Sequence, residues 1–375
     1  MRKVEACGDT LSNLGFGLMR FPTLADGKID EEKAIEMIDC AFEEEGVNYF
    51  DTAYMYHGGQ SELLAGKVLS RYPRDKFRLA SKYPGFMLGD KQDPKAIFEE
   101  QLKKCQVEYF DYYLLHSVSE NSYGIYMSPQ WKIIEYFEEQ RRLGRIRHFG
   151  FSAHASPDTM DRFLDEVGVK IDFCQIQLNY LDWTLQDAKA KYELLTKRNI
   201  PVWVMEPLRG GRLANLPSSA KAMLKKKKRA ELSPVEWAFK WLQTLPNVKV
   251  ILSGMSTLEQ VKDNGRIFSS EDVLSKDEWD FMLEVAEPLK QCVPCTGCRY
   301  CCEKCPAGLD IPRLLAIYNE IRFPEGMAVG KQLEALPKEG LPEACVKCGQ
   351  CTSVCPQKID VPAALSNLAE CMKSV

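Results

Sequence analysis

Eight cysteines near the end of the chain fall into two runs of one template, C-x-x-C-x-x-C-x-x-x-C-P. Cys295, Cys298, Cys301 and Cys305 make the first run. Cys345, Cys348, Cys351 and Cys355 repeat it fifty residues later, and an Asp and a Pro follow each run at matching places. Clustered thiolates in a reducing compartment are metal ligands. Structural zinc takes four ligands, commonly two pairs far apart in sequence. Two complete sets of four, each closed by Cys-Pro, fit a pair of 4Fe–4S clusters better. Cys292 and Cys302 are spare and read as bystanders.

A second constellation, Asp51, Tyr56, Lys82 and His116, suits carbonyl reduction. A carbonyl that receives hydride becomes an alkoxide and needs a proton. Tyr56 can give one, but a phenol with a pKa of ~10 is a reluctant acid. A nearby Lys82 ammonium would stabilise the phenolate and lower that value. Asp51 would hold Lys82 charged and in place, and His116 can hydrogen-bond the carbonyl oxygen and orient it. Taken singly, each has a plain structural role, such as a packed Tyr or a snorkelling Lys. Together they are hard to explain that way.

The elements that must position these residues alternate regularly. Eight short apolar runs, LGFGLMR, VNYFDTA, FRLASKY, DYYLLHS, HFGFSAH, DFCQIQLNY, PVWVMEP and VKVILSG, are separated by amphipathic stretches such as EEKAIEMIDCAFEEEG and PDTMDRFLDEVG. Eight strand–helix units predict an α/β protein with a (β/α)8 TIM barrel. A doubly wound sheet is disfavoured because no G-x-G-x-x-G follows a strand. Asp51 and Tyr56 fall at or just past the end of the second run, Lys82 ends the third and His116 the fourth. Active sites assemble at that mouth of a barrel. The segment SSEDVLSKDEWDFMLEVAEPLKQ predicts a last helix closing the barrel. Beyond it composition shifts to Cys and Pro, with helices expected at PRLLAIYNEIRF and PAALSNLAECMKS and a partly helical connector, PEGMAVGKQLEALPKEGLPEA. The expected domains are therefore 1–288, the barrel, and 289–375, a small α-helical cysteine domain.

The chain has 375 residues, a net charge of −4 and 45% apolar residues. That charge asks for neither nucleic acid nor anionic lipid. No run approaches the ~20 apolar residues of a membrane span, and the N-terminus lacks an apolar signal core, so a soluble cytoplasmic protein is expected. Eleven of the fifteen cysteines lie between Cys292 and Cys371, unlike a secreted disulfide framework. The run KKKKR, Lys225 to Arg229, reads as a solvated loop, and His57, His148 and His154 as structural residues.

The stretches YFDTAYMYHGGQSE, SKY, LLH, GFSAH, QIQLNY, EPLRGGRL and ILSGMSTLEQVKDN resemble, in order, the aldo-keto reductase family. The resemblance implies NAD(P)H-linked interconversion of a carbonyl and an alcohol by Asp51, Tyr56, Lys82 and His116. It implies nicotinamide contacts at Ser152, Gln177 and Asn179, with Ala153 in place of a usual Asn. Met205 replaces an aromatic that often stacks on the nicotinamide ring. Leu208 and Gly210 match the loop that crosses the pyrophosphate, with Arg212 in reach of a phosphate, and Asp263 and Asn264 match adenine contacts. Gln260 stands where many members carry an Arg for a 2′-phosphate, so the cofactor is NADP or NAD.

The tail resembles the α-helical ferredoxin-like domains of heterodisulfide reductase and succinate dehydrogenase subunits. In the two-cluster ferredoxin run the fourth Cys serves the other cluster. Cys295, Cys298, Cys301 and Cys355 would then hold one cluster, and Cys345, Cys348, Cys351 and Cys305 the second.

Three readings compete. One is an oxidoreductase acting on a small-molecule carbonyl or alcohol, with clusters that exchange electrons with a redox protein partner or sense redox state. Another is an iron–sulfur electron-transfer protein whose barrel docks a nucleotide or a flavin. The third is a binding module, as potassium-channel β subunits show for this family. The complete tetrad favours the first. Hydride moves two electrons and a cluster one, so direct coupling calls for a splitter such as a flavin.

Overall fold

The eight apolar runs form eight parallel strands in a computed structural model that describes residues 1–227, 229–321 and 337–372. After two short N-terminal strands, β1 (Lys3–Ala6) and β2 (Asp9–Ser12), the barrel strands are β3 (Leu14–Gly17), β4 (Tyr49–Asp51), β5 (Arg78–Tyr83), β6 (Phe110–Val118), β7 (Ile146–Ala153), β8 (Phe173–Gln177), β9 (Val202–Met205) and β10 (Val248–Ser253). They pair in chain order, and β10 returns to β3 to close the barrel. Helices between them cover the outer face, as parallel strands buried on both sides require. Every residue of β6 and β8 is buried.

The barrel interior is filled by aromatic rings. Tyr49 and Tyr112 stand 5.1 Å apart edge to face, Tyr112 and Phe173 5.1 Å, and Phe173 and Trp203 4.8 Å. The β1–β2 hairpin is absent from the sequence reading. Its turn, Cys7–Gly8, has both φ values positive (54° and 86°), the geometry of a two-residue hairpin loop. Leu11 of β2 joins the ring cluster, fully buried. Asp9 accepts from Arg78 Nε at 2.8 Å and from the Tyr112 hydroxyl at 3.0 Å. The hairpin thus seals the end where the strands begin and leaves the opposite mouth for chemistry.

One helix contact bears on the site. Helices Gln60–Leu69 and Pro94–Cys105 approach so closely that a Cβ on Gly66 would lie 2.3 Å from the Lys104 carbonyl oxygen. Only glycine fits there without displacing backbone.

The chain divides into two compact units, 1–207 with 239–274, and 208–238 with 275–375. The helix expected to close the barrel forms at Lys276–Ala286, started by a Ser275–Glu278 capping box, but it groups with the second unit. There Phe281 packs edge to face on Trp237 at 6.1 Å. The reason is composition: its apolar face meets a tryptophan of the 208–238 segment, which belongs to the same unit. Part of the expected connector and Lys228 of the basic run lie outside the described residues. No helix among the described residues is long and apolar enough to cross a membrane.

Candidate functional site

Asp51 ends β4, Lys82 lies in β5 and His116 in β6, so three neighbouring parallel strands deliver three side chains to one mouth. Tyr56 follows β4 on a tight turn at Tyr56–Gly59, where His57 and Gly58 have positive φ (51° and 62°). The turn begins at Tyr56 itself, five residues past Asp51. All four side chains are buried.

The structure brings the four together. Lys82 Nζ donates to Asp51 Oδ1 at 2.6 Å, to the Thr52 carbonyl at 2.7 Å and to the Tyr56 hydroxyl at 3.4 Å. The ammonium also stands 4.8 Å from the Tyr56 ring centroid. The Tyr56 and His116 rings meet edge to face at 6.0 Å, and Phe86 packs on the far side of His116 at 5.2 Å. Burial pushes the Lys82 amine down and the Asp51 carboxyl up, and each opposes the other's shift through their ion pair. Burial also holds the His116 imidazole well below its usual range, and the Lys82 charge pushes it the same way. His116 is therefore neutral near pH 7. Its Nδ1 is buried without a partner among the described residues, as is Asp51 Oδ2.

A second layer was not legible in the sequence. Glu62, fully buried, accepts from Ser81 Oγ and from Gln101 Nε2, both at 2.6 Å. The Gln101 amide also reaches the Lys82 carbonyl at 3.1 Å. Glu62 and Gln101 thus clamp the strand that carries Lys82. The close helix approach at Gly66 lets them meet. Glu62 lies within the quoted GGQSE stretch, but only packing turns it inward.

The residues expected to hold the nicotinamide are grouped too. Ser152 is next to last in β7 and its Oγ accepts from Ser117 N at 2.7 Å. Gln177 ends β8 and Nε2 donates to Asp182 Oδ2 at 2.7 Å; Asn179 donates to the same oxygen at 2.6 Å and to the Glu206 carbonyl at 2.9 Å. Asp182, buried and unforeseen, orients both amides. Asn179 Oδ1 in turn accepts from Leu181 N at 3.1 Å and from Asp182 N at 2.8 Å, so the Asn179 amide is spent inside the fold. Ser152 has a hydroxyl hydrogen to give, since it acts only as an acceptor here. That hydroxyl fits a nicotinamide carboxamide oxygen, with Asn179 as a brace for Asp182 rather than a contact. Met205 ends β9.

Gln260, Asp263 and Asn264 sit on helix Leu258–Ser269. Gln260 Oε1 accepts from Ser256 N at 2.8 Å, Asn264 Nδ2 donates to Ser253 Oγ at 3.0 Å, and Asp263 is exposed. Leu208, Gly210 and Arg212 belong to the second unit. Among the histidines read as structural, His148 Nε2 lies 3.4 Å from Asp9 Oδ2, and burial pushes His154 down to about 4.

In the second unit the sequence repeat is a structural repeat. Helices Tyr300–Glu303 and Gln350–Ser353 carry Cys301 and Cys351, and helices Ile311–Ile321 and Val361–Met372 follow. Backbone φ is positive at Gly297, Arg299 and Gly308, and again at Lys347, Gly349 and Lys358, the same offsets in both runs. Such left-handed residues turn successive N–H groups inward around an anion. Core residues repeat at the same interval: Leu309 and Ile359, Ile311 and Val361, Leu315 and Leu365.

The thiols of the two runs gather about one small core. Cys305 lines a small apolar recess with Cys345, Cys348 and Cys351. Cys295 and Cys298 act electrostatically on Cys301, so these three are neighbours, and Cys355 packs on the same core. None of the cysteines forms a disulfide. No three metal-binding side chains among the described residues converge as a single ion would need. A four-iron cluster spreads its thiolates around a core, and thiols ranged about a recess suit it.

Comparison with known proteins agrees with this geometry. The aldo/keto reductase family model matches residues 13–287, and a 4Fe-4S dicluster domain model matches 294–359. The chain belongs to the aldo/keto reductase family and carries a C-terminal 4Fe–4S dicluster domain. The family implies NAD(P)H and the second domain two clusters; nothing in either match calls for a flavin. The chain is similar to the NADH-specific methylglyoxal reductase of Escherichia coli (strain K12), with 26% identity over 326 residues, 75% of this chain and 97% of that protein. It is similar to the uncharacterized oxidoreductase YqkF of Bacillus subtilis, with 25% identity over 70% of this chain and 89% of that protein. A match to the probable aldo-keto reductase 1 of Glycine max, at 32% identity, spans 46% of that protein. Among solved structures, the holo form of aldo-keto reductase AKR11C1 from Bacillus halodurans superposes with a TM-score of 0.63 at 25% identity, over 76% of this chain and 97% of that one.

Proposed function

We propose that the barrel reduces a small carbonyl compound with Tyr56 as the proton donor. The observation that carries this reading is the buried contact of Lys82 with both Asp51 and Tyr56. A bound reduced nicotinamide supplies the hydride to the carbonyl carbon. Tyr56 gives its hydroxyl proton to the developing alkoxide, and the Lys82 ammonium stabilises the phenolate left behind. Asp51 keeps Lys82 charged despite its burial. The neutral His116 donates its one N–H to the carbonyl oxygen and fixes its direction. Phe86, packed on His116, helps to fix the ring.

By resemblance, Ser152 and Gln177 would hold the carboxamide, with Asn179 bracing Asp182 behind them; Met205 would supply the ring contact, and Asp263 and Asn264 would meet the adenine. Gln260 brings no charge to a 2′-phosphate, so both NADH and NADPH are to be tried. One relative carries an NADH-specific name and acts on methylglyoxal by that name. Small 2-oxo aldehydes are therefore the first substrates to try.

The division of labour falls near residue 288. Beyond it, Cys295, Cys298, Cys301 and Cys355 would hold one cluster and Cys345, Cys348, Cys351 and Cys305 the other, and such clusters would supply single-electron exchange with a redox protein partner.

The test is reduction of a panel of small carbonyls by wild type and Tyr56→Phe with each nucleotide. The variant should lose about 10²–10⁴-fold in kcat, the usual weight of a general acid, while nucleotide affinity holds. Unchanged turnover in Tyr56→Phe sinks the proton-donor role.

A further inference from the structure

Loop Leu208–Arg212 resembles the family's pyrophosphate loop, yet both its arginines are engaged by the cysteine-bearing unit to which the loop belongs. Arg212 Nη1 donates to the Val293 carbonyl at 2.9 Å. That oxygen also accepts from Cys295 N and from Asn319 Nδ2, each at 2.9 Å. Asn319 Oδ1 in turn takes the Val293 N–H at 2.7 Å. The Arg212 guanidinium also hydrogen-bonds the buried Cys292 thiol, and no carboxylate among the described residues is paired with it. Arg209, fully buried, donates through Nη2 to Gln357 Oε1 at 3.2 Å.

Val293 precedes Cys295 by two residues, and Gln357 follows Cys355 by two. Under crossed ligation those two cysteines hold the same cluster. One short loop therefore sets a guanidinium beside each end of a single ligand set. A part-buried cation without a carboxylate is costly unless another anion stands near. Here the neighbouring groups are the Cys292 and Cys295 sulfurs. Four thiolates outweigh the positive charge of a 4Fe–4S core, so the loaded cluster is that anion. Reduction adds one more negative charge to it.

We propose that Arg212 is a positioning and charge-compensating residue of the cluster held by Cys295, Cys298, Cys301 and Cys355, and that it raises the reduction potential of that cluster. The physical cause is Coulombic. A fixed positive charge in a poorly hydrated site favours the more negative, reduced state. The hydrogen bond to Val293 places that charge by tying it to the turn that presents Cys295. This inference rests on the two-cluster reading of the tail and is independent of carbonyl chemistry in the barrel. It also removes Arg212 from the nucleotide contacts.

The experiment uses the full chain, purified anaerobically as wild type, Arg212→Gln and Arg212→Lys. Iron content is measured, and each protein is titrated with dithionite while the clusters are followed by EPR. Wild type without iron overturns the two-cluster reading, and the proposal with it. With wild type loaded, Arg212→Gln should lower one of two potentials and leave the other in place. The expected drop is about tenfold in the reduced-to-oxidised ratio at fixed poise, which is 59 mV for a one-electron couple. Arg212→Lys should stay with wild type. If Arg212→Gln cannot hold the first cluster, a loaded Arg212→Lys at the wild-type potential still supports the role of charge. Unchanged potentials in Arg212→Gln overturn the proposal. So does an Arg212→Lys potential as low as that of Arg212→Gln, or loss of the cluster from both variants.

Discussion

Lys82 Nζ lies 2.6 Å from Asp51 Oδ1 and 3.4 Å from the Tyr56 hydroxyl, with both charged side chains buried. This pair holds a charge where the barrel is otherwise dry, and its cost to folding can be measured. Removing one partner of a buried ion pair costs about 3–5 kcal/mol, whereas removing both can be nearly neutral. Lys82→Met should lower the Tm strongly and abolish carbonyl turnover. The double variant Asp51→Asn/Lys82→Met should recover most of the stability and none of the activity. A double variant no more stable than Lys82→Met means the pair is not what stabilises the mouth.

The buried histidines make stability fall on the acid side. His154 is pushed down to about 4, and His116 lies well below its usual value, both chiefly by burial. An unfolded histidine titrates near ~6.5, so between that pH and the folded value the unfolded chain binds more protons. Their contribution is complete above pH ~6.5 and is lost as pH falls towards the folded values. Urea midpoints measured from pH 7 to 5 should drop, and His154→Gln should flatten the curve. An identical slope in the variant excludes His154 as a source.

The Gly66 contact opposes two terms of known sign. Alanine in a helix interior is favoured over glycine by about 0.5–1 kcal/mol. The added Cβ would meet the Lys104 carbonyl at 2.3 Å, and such overpacking costs about 1–3 kcal/mol. Gly66→Ala should therefore lower the Tm and, by parting Glu62 from Gln101, reduce kcat. A higher Tm for Gly66→Ala would show that the two helices yield freely.

Crossed ligation has a distinctive consequence. Cys305→Ser should damage the same cluster as Cys348→Ser, although Cys305 lies in the first run. Cys298→Ser should damage the other. EPR spectra of the three reduced variants decide this, and a Cys305→Ser spectrum that matches Cys298→Ser rules the crossing out.

Much of the molecule was legible because its signals are local. Each barrel strand is a short apolar run between amphipathic helices, and Asp51, Lys82 and His116 occupy the ends of three neighbouring runs. The cysteine repeat is visible to the eye. The hairpin at Lys3–Ser12 escaped because four-residue strands carry little period. The helix Lys276–Ala286 was recognised from its amphipathic pattern, but such a helix does not state which apolar surface covers it.

The sequence by itself determined the barrel, the tetrad and the two sets of four thiols, because spacing along strands and turns dictates which side chains share a mouth or a metal. Only the tertiary structure decided the partners that act from outside those patterns. Glu62 and Gln101 meet behind Lys82 because Gly66 lets two helices touch. Asp182 turns the amides of Gln177 and Asn179. Arg212, which resemblance assigned to a phosphate, donates to the turn that carries Cys295. These relations join residues remote in sequence through burial and hydrogen-bond geometry, and no local pattern encodes them.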